Sequence, residues 1–202
     1  MAVLARSILV TGSNRGIGLE LVKQLVEMSD PPEHIFATCR DPDGPRGRAL
    51  HDLADKHPSI HVVQLEVENQ SSVKAAVAIV QSYLEGKGLN LLINNAGVDT
   101  YDTLQTVEQQ EMLCTFNINV VGPILVVKAA LNMVTACLAV ELKGDEILCI
   151  AIHPGWVKTD MGTEKAPLTV QHSVQGILKV LASLSSSSTG TLLDWEGRRI
   201  FW

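Results

Sequence analysis

The sequence predicts an α/β protein built on a doubly wound parallel sheet, and three observations carry that reading. Short apolar runs recur along the chain and are nearly unalternated, as strands buried on both faces are. Segments with helical periodicity separate them, so strand and helix alternate throughout. A glycine-rich turn, Thr11-Gly12-Ser13-Asn14-Arg15-Gly16-Ile17-Gly18, joins the first run to the first helix.

In chain order, strands are expected at 7–10, 34–39, 60–65, 89–94, 146–152 and 190–193. Helices are expected at 17–28, 46–56, 70–84, 103–142 with a break near 117–123, and 167–184. The first helix carries its apolar residues at Ile17, Leu21, Leu25 and Met28. Turn residues fall between these elements: Pro31-Pro32 ends the first helix, Asp41-Pro42-Asp43-Gly44-Pro45 is a loop, and Gly86-Lys87-Gly88 precedes the fourth strand. The serine run before the last strand reads as a polar connection rather than a site.

Composition bounds the class. With 202 residues and 46% hydrophobic content the chain can bury a sizeable core, and its length suits one domain, 1–202. The net charge of −6 gives no basic face for nucleic acid or an anionic membrane, so a small soluble ligand fits better. Cys39, Cys114, Cys137 and Cys149 stand singly in apolar runs, without zinc-site spacing, and read as small core hydrophobes; no metal is expected. The N-terminus runs straight into the first strand, which leaves no room for a signal peptide and makes the cytoplasm the default location. The stretch 118–142 is long and apolar enough to span a bilayer, but Lys128 and Asn132 near its middle favour a buried helix.

The glycine turn proposes a ligand. Glycine lets the backbone turn sharply and approach a ligand closely, and a helix N-terminus offers N–H groups and a positive dipole end to a pyrophosphate. Strand before and helix after is the context a dinucleotide-binding turn requires.

Further motifs follow in order: Asn94-Asn95-Ala96-Gly97 ending the fourth strand, Asn119-Val120-Val121-Gly122, and Pro154-Gly155-Trp156-Val157-Lys158-Thr159. Together with the glycine turn they resemble the short-chain dehydrogenase/reductase family over nearly the whole chain. Lys128-Ala-Ala-Leu-Asn-Met, His153 to Asp160 and the tail from Gly190 look most like its sniffer and C-factor subgroup of carbonyl reductases. The resemblance implies a Rossmann-like fold and a nicotinamide cofactor held by Gly12, Ser13, Asn14, Arg15, Gly16, Ile17 and Gly18. It also implies Asn95, Ala96 and Gly97 along the adenosine ribose, and Pro154, Gly155, Val157 and Thr159 at the nicotinamide. Taken alone, Asn94 to Gly97 reads as an ordinary strand-to-loop turn.

Charge bears on which cofactor. An NAD site places an acid about twenty residues beyond the glycine motif, whereas an NADP site places arginine there. Here the second strand ends Thr38-Cys39-Arg40 and Arg15 lies inside the turn, which favours NADP over NAD. The other reading of Arg40 is a solvated loop charge beside Asp41. Glu66-Val67 stands where the family has an Asp-Val that contacts adenine, so that contact is carried over in altered form.

The chemistry is where the resemblance departs. The family uses a tyrosine four residues before a lysine as the proton donor or acceptor, with a serine on the same oxygen. Between Ser82 and Ser173 there is no serine, and the tyrosines are Tyr83 and Tyr101. Tyr83-Leu-Glu-Gly-Lys87 fits the spacing but precedes the fourth strand, at the sheet edge opposite the ligand.

Lys128 keeps family register, yet Ile124 stands four residues before it; the family site that remains is Asn119 and Lys128. The chain therefore reads as two family pieces joined, with the fifth strand, serine and tyrosine missing. Strand 146–152 is expected to take the vacant slot and give a six-stranded sheet.

Two functions follow: an impaired NADP-dependent oxidoreductase acting on a small carbonyl or alcohol, for which Tyr101 is the candidate acid, or a non-catalytic cofactor-binding variant. The family's homodimer forms through helices around the missing segment, so the resemblance does not carry a dimer over intact.

Overall fold

The computed structural model describes residues 5–100, 103, 105–131 and 147–200, with 128–131 as backbone only. Tyr101, Cys137 and the part of the apolar stretch beyond residue 131 lie outside the described residues. The chain divides into two units, Met1–Ala130 and Leu131–Trp202, and each is taken by itself.

The first unit is built on a four-stranded parallel sheet in the order β3-β2-β1-β4. Its strands are β1 (Ser7–Thr11), β2 (His34–Cys39), β3 (Ile60–Gln64) and β4 (Leu91–Ile93). All five residues of β1 are buried because it pairs on both sides, Ile8 with Ile35 and with Leu91, which is why it reads as an unalternated run.

Helices α1 (Gly16–Val26), α2 (Arg48–Ala54) and α3 (Gln70–Leu84) link the strands. Helix α1 buries Leu21, Val22 and Leu25. Helix α3 starts at Asn69, whose side chain accepts from the amides of Ser71 and Ser72 at 3.0 and 3.1 Å. It stops at Glu85, which takes the left-handed conformation at φ 49°. Val73, Ala76, Val80 and Leu84 of α3 pack with Leu9, Phe36, Val63 and Val126 in one core. Phe36 is fully buried there, and its replacement by alanine is of the kind that costs about 3–5 kcal/mol.

At the amino end of the sheet His34, Phe36, His61 and Tyr83 cluster, with the His61 and Tyr83 rings 4.0 Å apart. Burial, with His34 adding to it, holds the His61 imidazole below its ordinary pKa. Tyr83 thus sits opposite the edge that carries the glycine turn, and Lys87 lies beyond the helix in the following turn.

After β4 the chain forms α4 (Gln109–Phe116), a π-helical turn (Asn117–Val121) and α5 (Gly122–Leu131). The expected break near 117–123 is therefore a widened turn, which keeps the backbone helical while shifting the faces on either side. Of the stretch expected as a buried helix, 118–142, the described part is mixed: Val126 is buried and Ile118 packs against the core, whereas Val120 is exposed. Met112, Leu113, Phe116 and Val120 are exposed, by 42–60%. Gln109–Val127 is long and apolar enough, by length and composition alone, to cross a membrane. Cys114 is exposed too, so it does not act as a core hydrophobe, while Cys39 does.

The second unit holds β5 (Ala151–His153), α6 (Val170–Ala182), a 3₁₀ turn (Ser186–Ser188), β6 (Leu192–Asp194) and β7 (Arg199–Ile200). Strand β5 pairs in parallel with β6, and β6 antiparallel with β7. The α/β class stands, but the expected single six-stranded sheet is instead a four-stranded and a three-stranded sheet among the described residues. Among the described residues β5 makes its ladder with β6. The additional strand β7 is two residues long, returned by a turn in which the amides of Glu196 and Arg198 donate to Asp194 Oδ1 at 2.9 and 2.8 Å.

Candidate functional site

The glycine turn leaves β1 at its carboxyl end with Gly12 at φ 67° and Gly16 at φ 51°, conformations that favour glycine. A Cβ at Gly12 would lie 2.8 Å from Ala96 Cα, and one at Gly18 would lie 2.2 Å from the Gly12 carbonyl oxygen. The turn is therefore packed against the end of β4 and against itself, with no room for side chains at these positions. Arg15 is extended as the residue preceding α1, and the first turn of α1 carries no acid, so its N-terminus is electrostatically open to an anion.

Asn95 and Thr11 hold this shape. The Asn95 side-chain amide donates to the carbonyls of Thr11 and Gly12 at 2.9 and 3.1 Å. The Thr11 hydroxyl, 1% exposed, accepts from the amides of Asn95 and Ala96 at 3.0 Å each. Ser13 is buried, with its hydroxyl donating to the Val10 carbonyl at 2.7 Å and its amide to Thr38 at 2.9 Å. The side chains of Asn95 and Ser13 are thus spent on the backbone: they shape the cradle rather than reach into it. The family resemblance placed both beside the cofactor; the contact that gives Asn95 this role reaches back to a turn more than eighty residues earlier, whereas Ser13 bonds Val10 and Thr38.

Arg40 is exposed at the end of β2, next to Gln64, whose amide donates to the Arg40 carbonyl. Among the described residues its guanidinium makes no hydrogen bond or ion pair. Asn14, Ile17 and Glu66 are half-buried. The Glu66 amide donates to Ser72 Oγ at 2.9 Å, and Val67 is buried where a Cβ at Gly122 would meet it at 2.8 Å. Glycine turn, Arg40, Glu66-Val67 and Asn95 to Gly97 thus share the carboxyl ends of the four strands, where open α/β sheets take ligands.

Asn119 lies in the π-helical turn and clamps the loop beyond β4. Its Oδ1 accepts from the Val98 amide at 2.9 Å and its Nδ2 donates to the Val98 carbonyl at 2.8 Å. Both ends of its side chain are thus engaged by the Val98 backbone. Lys128 falls within α5, and its side chain is outside what is described.

In the second unit, Pro154, Gly155, Val157 and Thr159 follow β5. Gly155 has φ 84°, and a Cβ there would lie 2.8 Å from Leu168 Cδ2. The Pro154 carbonyl accepts from Ser173 Oγ at 2.7 Å, Val157 is buried and bridges to Leu168, and Thr159 Oγ1 accepts from the Gly162 amide at 3.0 Å. The loop is fixed by its own hydrogen bonds, including Trp156 Nε1 to the Gly162 carbonyl at 2.7 Å, while the Trp156 ring stays exposed.

Residues 6–131 match the model of the short chain dehydrogenase family, and the chain belongs to that family of oxidoreductases. It is 39% identical to an NADPH-bound carbonyl reductase from chicken fatty liver, over 98% of this chain and 99% of that one, with a TM-score of 0.93. The carbonyl reductase Sniffer of Drosophila melanogaster is 32% identical over 98% and 100% of the two chains, also at 0.93. An uncharacterised oxidoreductase of Schizosaccharomyces pombe is 27% identical over 254 aligned positions, covering 98% of each protein. That alignment is longer than the 202 residues of this chain, so many of its positions have no counterpart here.

Proposed function

We propose that this chain binds NADP(H) on the glycine turn and is an impaired reductase of small carbonyl compounds or oxidant of the matching alcohols. The observation that carries the reading is the cradle itself: Gly12, Gly16 and Gly18 closed by Thr11 and Asn95, with Arg40 exposed at the next strand end. Its likeness to the NADPH-bound reductase supports NADP(H) as the occupant.

The residues fit that group. The α1 N-terminus would offer its N–H groups to a pyrophosphate, glycine would let it approach, and Arg40 would offer a charge to a ribose 2′-phosphate. When bound, the cofactor supplies or takes up a hydride. Carbonyl reduction also needs a proton at the oxygen, and that is the weak half of the reaction. No serine lies between Ser82 and Ser173, and Tyr83 packs against His61 at the far end of the sheet, the rings tilted by 36°. Loss of a positioned acid removes roughly 10²–10⁴-fold in rate.

A missing family segment accounts for this, and the alignment positions without counterparts here support it. Asn119 and Lys128 are the remaining family positions, Tyr101 is the candidate substitute acid, and a single cytoplasmic domain 1–202 is the corresponding organisation. The second reading, a cofactor-binding protein without turnover, is favoured by the same missing serine and by the position of Tyr83.

NADPH binding followed by its fluorescence, then NADPH oxidation with a panel of aldehydes and ketones, tests the reading. Binding that Gly18→Ala removes, with slow turnover that Tyr101→Phe lowers further, is the expected result. Binding with no turnover selects the second reading, and absence of binding refutes both.

A further inference from the structure

At the amino end of the four-stranded sheet, remote from the glycine turn, His34 Nδ1 and His61 Nε2 face each other at 3.1 Å. They come from adjacent strands: the ladder pairs Phe36 with His61, which leaves His34 diagonal to it on the same face. Phe36, which is fully buried, and Tyr83 pack against the pair, their rings 5.2 and 4.0 Å from the His61 ring. Both histidines are half-buried, so solvent still reaches the pair.

We propose that His34 and His61 form a two-imidazole site for a divalent first-row transition ion. Imidazole is the common ligand for zinc, copper and nickel, at about 2.0–2.1 Å from the metal. Two such bonds to nitrogens 3.1 Å apart subtend about 95–100°, an angle open to a cis pair in tetragonal or distorted tetrahedral coordination. For the two nitrogens to hydrogen-bond, one of them must carry the proton between them. A tautomer shift moves that proton to the ring's other nitrogen and frees the second lone pair, with no net proton released. Among the described residues no cluster of three or more histidine, cysteine or carboxylate groups exists, so water completes the shell and the site is a cross-strand clip rather than a closed structural centre. Because the ion would tie β2 to β3, its binding free energy adds to the stability of the sheet.

The test is a Cu²⁺ titration of the full chain, followed by electron paramagnetic resonance and calorimetry. The wild type is expected to show one copper with hyperfine structure from two imidazole nitrogens. His34→Gln and His61→Gln are each expected to remove the two-nitrogen pattern and weaken binding by about tenfold or more, while His57→Gln changes neither. Zn²⁺ is expected to raise the melting temperature of the wild type and not that of the two variants. A wild-type spectrum without two equatorial imidazoles, or affinity unchanged in His34→Gln and His61→Gln, overturns the proposal. The wild-type spectrum decides even where a variant fails to fold.

Discussion

Replacing Thr11 by valine removes one hydroxyl and leaves the shape of the side chain intact. That hydroxyl accepts from two backbone amides, Asn95 and Ala96, at 3.0 Å each, in a residue that is 1% exposed. A donor stranded without an acceptor in a buried position costs roughly 1–3 kcal/mol, so the pair predicts a loss of about 2–6 kcal/mol. Against a typical total stability of about 5–15 kcal/mol that is a large share. Thr11→Ser keeps the acceptor and gives up only a methyl group, for about 0.5–1.5 kcal/mol. Urea unfolding followed by circular dichroism measures both, with the slope checked for constancy so that midpoints report stability. The same amides fix Ala96 against Gly12, so NADPH affinity is expected to fall in Thr11→Val and to be nearly retained in Thr11→Ser. If valine costs no more than serine, the hydroxyl does not hold the turn and the reasoning is refuted.

Arg40→Asp is expected to reverse cofactor preference, weakening NADPH binding while leaving NADH binding little changed; equal affinity for both in the wild type would remove Arg40 from the site. Alkylation at pH 8 with peptide mapping is expected to modify Cys114 before Cys39 and Cys149, because burial pushes both of the latter thiols up while Cys114 is exposed; modification of Cys39 first would contradict the packing of β2. Asn69→Ala removes an acceptor for two amides at the start of α3 and is expected to cost about 1 kcal/mol in urea unfolding, with Asn69→Asp recovering most of it. An unchanged midpoint would mean that solvent replaces the cap.

The strands and helices of the first unit were legible because their signals are local: β1 is an unalternated apolar run, and α1 begins where the glycine turn ends. The exposed face of α4 and the π-helical turn was half legible. Periodicity identifies Met112, Leu113, Phe116 and Val120 as apolar, but whether another element covers them depends on chain far away in sequence. β7 is two residues long and carries no pattern that a sequence window can detect. The site was legible as a place and less so as a set of contacts. Gly12 and Gly18 announce close approach, whereas the turn of the Asn95 side chain toward backbone carbonyls follows from how β4 docks beside β1. Asn119 is similar: its tie to Val98 spans two elements and leaves no trace in local spacing.

The tie between Asn95 and the glycine turn also sets an order of events. Residues 11–18 can form their helix start early, but the carbonyls of Thr11 and Gly12 find their partner only after β4 and the residue following it have joined β1. A nascent chain ending before residue 95 therefore carries the complete glycine motif but lacks the Asn95 bonds that close it. Nucleotide binding in such a chain is a readout of the long-range docking of β4, and a fluorescence signal during refolding would time that step rather than the local folding of the turn.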